Sequence, residues 1–305
     1  MIKGIEQLEQ ERQAIYSVYA KNSRISIIFI IAGAAIAILS ALFGETVVVF
    51  GIIIGMILFV IGIIFGAIAS SKSRPFTKKF KLNLIKALLE EMYQNVYYNP
   101  EDSLNLSRVL ATGLVKQPDR YKGEDLVTCE YKGVKIQACD FHMEERHVTY
   151  DSKGNRHVSY QTYFKGRWLI FKFDEAFKDQ VRILEKSWLG FSIAPKGFKK
   201  VETESIAFNK KFLMESTDPQ HAFYIVTPSM IEKLLEFESM MGGTVSLLYR
   251  GDELHIAINN NSNSLEPRLK YPLNEENLKR YQSETDLMAV LINEFGLSKD
   301  KYMND

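Results

Sequence analysis

Two cysteines in 305 residues, Cys129 and Cys139, are too few for a disulfide framework and too sparse for a zinc knuckle. No GxxxxGK[ST] stretch cradles a nucleotide's phosphates, and no GxGxxG holds a dinucleotide. Long-period repeats are missing, which removes solenoids and propellers. One further absence matters most. Residues 25–43 (ISIIFIIAGAAIAILSALF) and 47–69 (VVVFGIIIGMILFVIGIIFGAIA) contain no Asp, Glu, Lys or Arg.

At about 1.5 Å rise per residue the first run makes roughly 28 Å of helix, close to the thickness of a bilayer core. Buried helices of soluble proteins rarely run so long without a charge, so both runs are expected to span a membrane. A cleaved signal peptide fits poorly: the first run starts at residue 25, is too long for a signal's apolar region and leads straight into the second. Lys3, Arg12, Lys21 and Arg24 precede the first run, and Lys72, Arg74, Lys78, Lys79 and Lys81 follow the second. The loop between them carries only Glu45. Positive residues stay on the cytoplasmic side, so both termini are expected inside, with Glu45 outward on a short turn. Cytosolic thiols then stay reduced.

Residues 1–81 hold nine Lys/Arg against four Asp/Glu, and the remainder 29 against 33. The acidic balance of the longer part argues against nucleic acid as a partner. The basic collar Lys72, Arg74, Lys78, Lys79 and Lys81 is instead expected to meet anionic lipid headgroups. Within the spans, Gly33, Ala37 and Ala41 recur every four residues, and Gly51/Gly55 and Gly62/Gly66 form GxxxG pairs. Small residues let helices approach closely in lipid, either within the hairpin or between copies of the chain. With no ionisable residue in either span, a proton relay or ion site is not expected.

Residues 1–24 read as an amphipathic helix through Ile5, Leu8, Arg12, Ile15 and Tyr19. Pro75 is expected to open another, carrying Phe80, Leu84, Leu88 and Met92 and ending before Asn99-Pro100. The two either pack as a stalk or lie on the headgroups. The domains expected are therefore that N-terminal helix, the hairpin of residues 25–69, a collar and juxtamembrane helix over 70–98, and a cytosolic domain over 99–305.

In that last part, LVTCEYKGVKIQAC reads as a hairpin turning at Lys132-Gly133. Its register puts Val127, Cys129 and Tyr131 on one face with Val134, Ile136 and Ala138, and Cys139 on the opposite, mostly polar face. HVTYDSKGNRHVSY reads as a second, polar and aromatic hairpin. It is either a surface excursion or a partner-binding finger using His142, His147, Tyr150, His157 and Tyr160. Residues 163–173 and 180–184 read as further strands. Thr227 caps a helix from Pro228 to the Gly242-Gly243 stop. TVSLLYRGDELHIAI folds back around Gly251-Asp252, placing Arg250 across from Glu253. A last helix starts near Glu275, its stripe Leu278, Tyr281, Thr285, Met288, Ile292 and Phe295. Blocks of strands and helices with tight turns give an α+β domain of mainly antiparallel sheet.

Candidate chemistry is thin. His142 and Glu144 share a strand face and are the best metal candidate, but His142 and His147 are five apart and point to opposite faces. GFSIA (190–194) lacks the second glycine of a nucleophile elbow. RGD at 250–252 is a tight turn. No cofactor is implied.

The order of motifs resembles a bacterial membrane-protein family, "domain of unknown function 3137". The residues carrying the resemblance are the N-terminal helix with two spans, Gly123-Glu124-Asp125 before a strand, Phe164-Lys165-Gly166, Phe208 and Phe212 in FNKKF, and Thr227-Pro228. It covers about residues 1–270. The resemblance implies a bacterial inner membrane, no established activity, and a LemA-type membrane protein or self-association as the kind of partner. The expected function is a membrane-anchored cytosolic module that binds a protein or lipid partner. An enzyme acting on a membrane-associated substrate and an oligomeric pore are the alternatives.

Overall fold

A computed structural model describes residues 4–191 and 196–297, the side chains of Lys72, Leu189 and Phe191 apart. The chain divides into two compact units, Met1–Ile85 with Glu266–Arg280, and Lys86–Leu265 with Tyr281–Asp305.

The first unit is built on two long helices, α1 (Ile5–Ser40) and α2 (Glu45–Phe80). Both are long and apolar enough to cross a membrane, and in each apolar window only 17% of the residues are buried. A core helix of a soluble protein would be mostly covered; these expose Ile28, Ile31, Ile38, Ile57 and Val60. Helix α1 runs unbroken from the amphipathic segment into the first span. Pro75 departs from expectation: it lies inside α2 and opens no new helix. A proline there removes one helical hydrogen bond and crowds the carbonyl four residues earlier. Nearby, the Ser71 and Ser73 hydroxyls donate to the Ile68 and Ser70 carbonyls at 3.0 and 2.9 Å, inside a helix already long enough to carry the defect. A wider, π-type turn follows at Lys81–Ile85.

Residues 266–280 complete this unit. Arg12 donates two hydrogen bonds to Glu9 at 2.7 Å and a further one to the Leu269 carbonyl, while Glu9 accepts from the Leu273 amide at 2.8 Å. The Arg12 guanidinium beside Glu9 pulls that carboxyl down to about 2, against the cost of its partial burial.

The second unit opens with α3 (Lys86–Met92), β1 (Gln94–Asn99) and α4 (Leu106–Leu110). Then come β2 (Arg120–Tyr131), β3 (Val134–Tyr150), β4 (Arg156–Lys172) and β5 (Val181–Glu185). After β6 (Lys199–Val201) follow α5 (Ile206–Lys211), β7 (Phe212–Ser216), α6 (Ala222–Ile225) and α7 (Pro228–Met241). The unit closes with β8 (Thr244–Arg250), β9 (Glu253–Asn259) and α8 (Glu275–Glu294), whose first turns are counted with the first unit. The fold is α+β. Among the described residues, nine strands form one antiparallel sheet in the order β1-β2-β3-β4-β9-β8-β5-β7-β6.

Strand β1 replaces what reads as the last turn of a helix. Helix α3 ends at Met92, and Asn95, at a left-handed φ of 53°, sits in a bulge of β1 between the pairs Gln94↔Glu130 and Tyr97↔Thr128. The β2–β3 hairpin has the expected register, Val127↔Ala138, Cys129↔Ile136 and Tyr131↔Val134. Lys132 and Gly133 both take positive φ, 50° and 78°, the signature of a type I′ turn. The opposite face is less polar than its sequence suggests. Cys139 is buried there with Phe141, Phe164, Trp168 and Trp188, beneath Leu104, Val109 and Leu114. On the first face, Leu89 of α3 and Met288 of α8 meet Val127 and Ala138. The sheet is thus covered on both sides. Thr227 caps α7 through the Met230 amide, and Gly242 ends it.

Candidate functional site

Strands β3 and β4 are each 17 residues long, and they divide in the middle. Their roots, Val134–Met143 and Phe164–Lys172, lie between β2 and β9. Strand β2 pairs with β3 no further than Glu144, and β9 with β4 no further than Gly166. Beyond those points the two strands pair only with each other, from Glu145↔Gln161 to Tyr150↔Arg156. What reads as a separate finger is therefore the outer half of the central hairpin, and residues 163–173 belong to the same strand as 156–162. A bulge at Tyr163 marks the boundary, Met143 pairing with Phe164 and Glu144 with Thr162.

The tip is locked by Asp151. Its carboxylate accepts from the Lys153 and Asn155 amides and the Asn155 side chain, each at 2.9 Å, and lies 3.3 Å from His157 Nε2. The Asn155 side chain, then its amide, bring that carboxyl to about 2. Cross-strand pairing sorts the finger residues. Val148, Tyr150, Val158 and Tyr160 share one face with Arg146 and Arg156, and the Arg120 guanidinium stacks 3.4 Å from the Tyr160 ring centre. His147 and His157 lie on the opposite face with Thr149. Tyr150 on this face is 69% exposed.

His142 sits at the root, its Nε2 2.7 Å from Thr162 Oγ1, whereas Glu144 pairs with Arg120 at 2.9 Å. Each of the two side chains thus has its own partner. In the hairpin turn after β8, Arg250 is opposite Glu253 in register, yet it donates to the Ala111 carbonyl at 2.6 Å, and Glu253 pairs with Arg108 and His255. The His255 hydrogen bond, then Arg108, lower the Glu253 carboxyl to about 2. In GFSIA, Ser192, Ile193 and Ala194 lie outside the described residues. A half-open hollow of about 220 Å³ is lined by Leu110, Thr112, Gln180, Phe198, Leu248 and Arg250, and an enclosed one of about 10 Å³ lies beside Asp125 and Arg167. Neither sets a nucleophile against a base.

In the helical hairpin, Gly33 and Gly55 face each other so closely that a Cβ on either would come within 2.7 Å of the other's carbonyl oxygen. Gly51 lies against Ser40, Gly62 against Ile30 and Gly66 against Ser26, whose hydroxyl donates to the Gly62 carbonyl at 2.7 Å. Ala37 packs on Gly55, and Ala41 caps α1. The glycines of the second helix are occupied by the first, within one chain.

The basic collar divides. Arg74 and Lys78 are exposed, Lys79 pairs with Glu11 at 2.5 Å, and the Lys72 side chain lies outside the described set. Lys81 is buried and paired with Glu266 at 2.6 Å, so it cannot reach a lipid surface as expected. Its partner lies 185 positions along the chain, which no local reading of the collar would find.

Residues 162–297 match the family model described as "Protein of unknown function (DUF3137)". The matched stretch starts within β4 and ends after α8. No curated protein matches the chain. Among solved structures, the crystal structure of the mycobacterial trehalose monomycolate transport factor A, TtfA, is similar over 68% of this chain and 93% of that one. Identity is 13% and the TM-score 0.37, a likeness too distant to transfer a fold or a role.

Proposed function

We propose, for a chain whose residues 162–297 carry this uncharacterised domain, that it is a two-pass protein of the bacterial inner membrane with both termini in the cytosol, presenting its sheet unit there as a binding module. The observation that carries the reading is the pair of 36-residue helices, whose large apolar side chains face outward while glycine and serine fill the seam between them. Lys21, Arg24 and Arg74 stand exposed near one end of the apolar zone, and Glu45 alone near the other, which supports this orientation by the positive-inside rule. Tethering raises local concentration, so a weak contact suffices for the module to work.

The contact surface is the face of the outer β3–β4 ribbon holding Tyr150, Tyr160 and Val158 with Arg146 and Arg156. Aromatic and arginine side chains dominate binding hot spots, and their combination suits a protein partner with acidic residues. Protease added to intact spheroplasts is expected to spare the carboxy-terminal unit and to cut it once the membrane is opened. Digestion in intact spheroplasts rejects the orientation. A photo-crosslinker at Tyr150 is expected to capture a defined membrane-associated protein, and a Tyr150→Ser, Tyr160→Ser double variant with a probe at Val158 to lose it. Capture that survives the double variant rejects this face.

A further inference from the structure

Strands β5 and β7 pair antiparallel from Val181↔Ser216, so the residues just before β5 and just after β7 meet at one end of the sheet. Asp179 comes from the first, Asp218 and His221 from the second. His221 Nδ1 lies 3.0 Å from Asp179 Oδ2 and 3.7 Å from Asp218 Oδ2, and all three atoms fall within 4.8 Å of one another. One imidazole nitrogen carries at most one proton, so it can satisfy only one of the two carboxylates that face it.

The remaining oxygens are held elsewhere. Asp179 Oδ1 accepts from Thr217 Oγ1 at 3.3 Å, and that hydroxyl is oriented by the Gln180 amide at 2.9 Å. Asp218 Oδ1 accepts from the Gln220 amide at 2.8 Å and the His221 amide at 3.4 Å. The His221 ring stands edge-on to Tyr224, centroids 5.8 Å apart. Each carboxylate therefore has one oxygen tied back and one turned to a common point with an imidazole nitrogen, the arrangement in which outer hydrogen bonds aim metal ligands.

We infer that Asp179, Asp218 and His221 bind a divalent first-row transition cation of the zinc class. Two carboxylates and one imidazole are a mixed oxygen–nitrogen set, better suited to Zn2+ than to Mg2+ or Ca2+, which favour oxygen alone. Ligand distances of about 2.0–2.2 Å need only small rotations of these partly exposed side chains. His221 is half exposed, which leaves positions on the ion for water or for a partner's ligand. The bound ion would clip the start of β5 to the turn before α6. This site is separate from the Tyr150–Tyr160 face and does not depend on it.

The test is calorimetric titration of Zn2+ into the purified, chelator-treated full chain in nanodiscs, with Ca2+ as comparison. One tight zinc equivalent is expected, weakened by at least about tenfold in each of Asp179→Asn, Asp218→Asn and His221→Gln. Asp218→Asn keeps an oxygen for the two amides, so it preserves the turn; thermal midpoints without metal check folding of all three. Cobalt should give a visible ligand-field band that His221→Gln removes. No zinc uptake, uptake unchanged in the three variants, or equal uptake of Ca2+ that is indifferent to His221→Gln overturns the assignment.

Discussion

The two units solve opposite packing problems. In the helical hairpin the side chains inside are Gly33, Ser26 and Ser40, and those outside are isoleucine, leucine and valine, with Ile38 at 72% exposure and Leu42 at 78%. In the sheet unit Trp168, Phe164 and Phe171 are sealed, and buried charged side chains such as Arg167, Asp125 and Glu185 are ion-paired or hydrogen-bonded. The hydrophobic effect explains the second pattern. It cannot explain the first in water; there, backbone proximity and a serine hydrogen bond hold two helices whose apolar surface seeks another solvent. The contrast reads out the medium of each part.

The largest effect should come from the Asp140–Arg167 ion pair, buried on both partners. Asp140 accepts from Arg167 Nε at 2.8 Å, and Arg167 also donates to the Glu284 carbonyl at 2.9 Å. Burial alone would lower the guanidinium's pKa, but Asp140 outweighs it and holds it raised. Asp140→Ala strands that cation and is expected to cost about 3–5 kcal/mol in chemical denaturation of the sheet unit. A loss under about 1 kcal/mol would mean the pair is wetter than its geometry implies.

Next comes Ile57→Lys, 55% exposed on α2. On a water-facing helix it would be nearly neutral; in hydrocarbon it should oppose insertion by about 2.5–3.5 kcal/mol, read as a fall in the membrane-integrated fraction. Unchanged integration would erase the contrast between the units. Thr227→Ala removes the α7 cap and should cost about 1 kcal/mol, measured by denaturant midpoint, with the helical hairpin unaffected.

The smallest effect is that of pH on residues 266–273. Glu9 has its pKa lowered from 4.5 to about 2, so its contribution is complete above pH 4.5 and fades as pH falls toward 2. The Leu273 amide resonance should shift across that window in the native chain and not in Glu9→Gln.

Much of this was legible in the sequence. Alternation of Val127, Cys129 and Tyr131 against Val134, Ile136 and Ala138 sets a register because a one-residue slip would turn the whole set to the other face. Thr227-Pro228 and Gly242 bracket α7 by capping chemistry alone. Strand β1 was not legible, because Leu84, Leu88 and Met92 carry helical spacing to the end of α3, and only pairing with β2 extends the residues after it. Nor was the first half of β2: Arg120, Lys122 and Glu124 show no strand pattern of their own until β3 supplies their pairing partners. The finger residues are visible as a polar, aromatic repeat, but which of them share a face depends on a register counted from Tyr150↔Arg156. Asp179 and His221 lie 42 positions apart and meet only through the pairing of β5 with β7.

The burial of Cys129 and Cys139 on opposite sides of one hairpin has a practical corollary. Desolvation pushes the Cys129 thiol up to about 12 and raises Cys139 as well, so neither offers a thiolate to a reagent at neutral pH while the fold is intact. Alkylation by a membrane-permeant maleimide should therefore proceed only through opening events, one residue timing the release of each layer. Without any engineered label, the native chain carries two clocks that report from living cells how often each side of its sheet lets go.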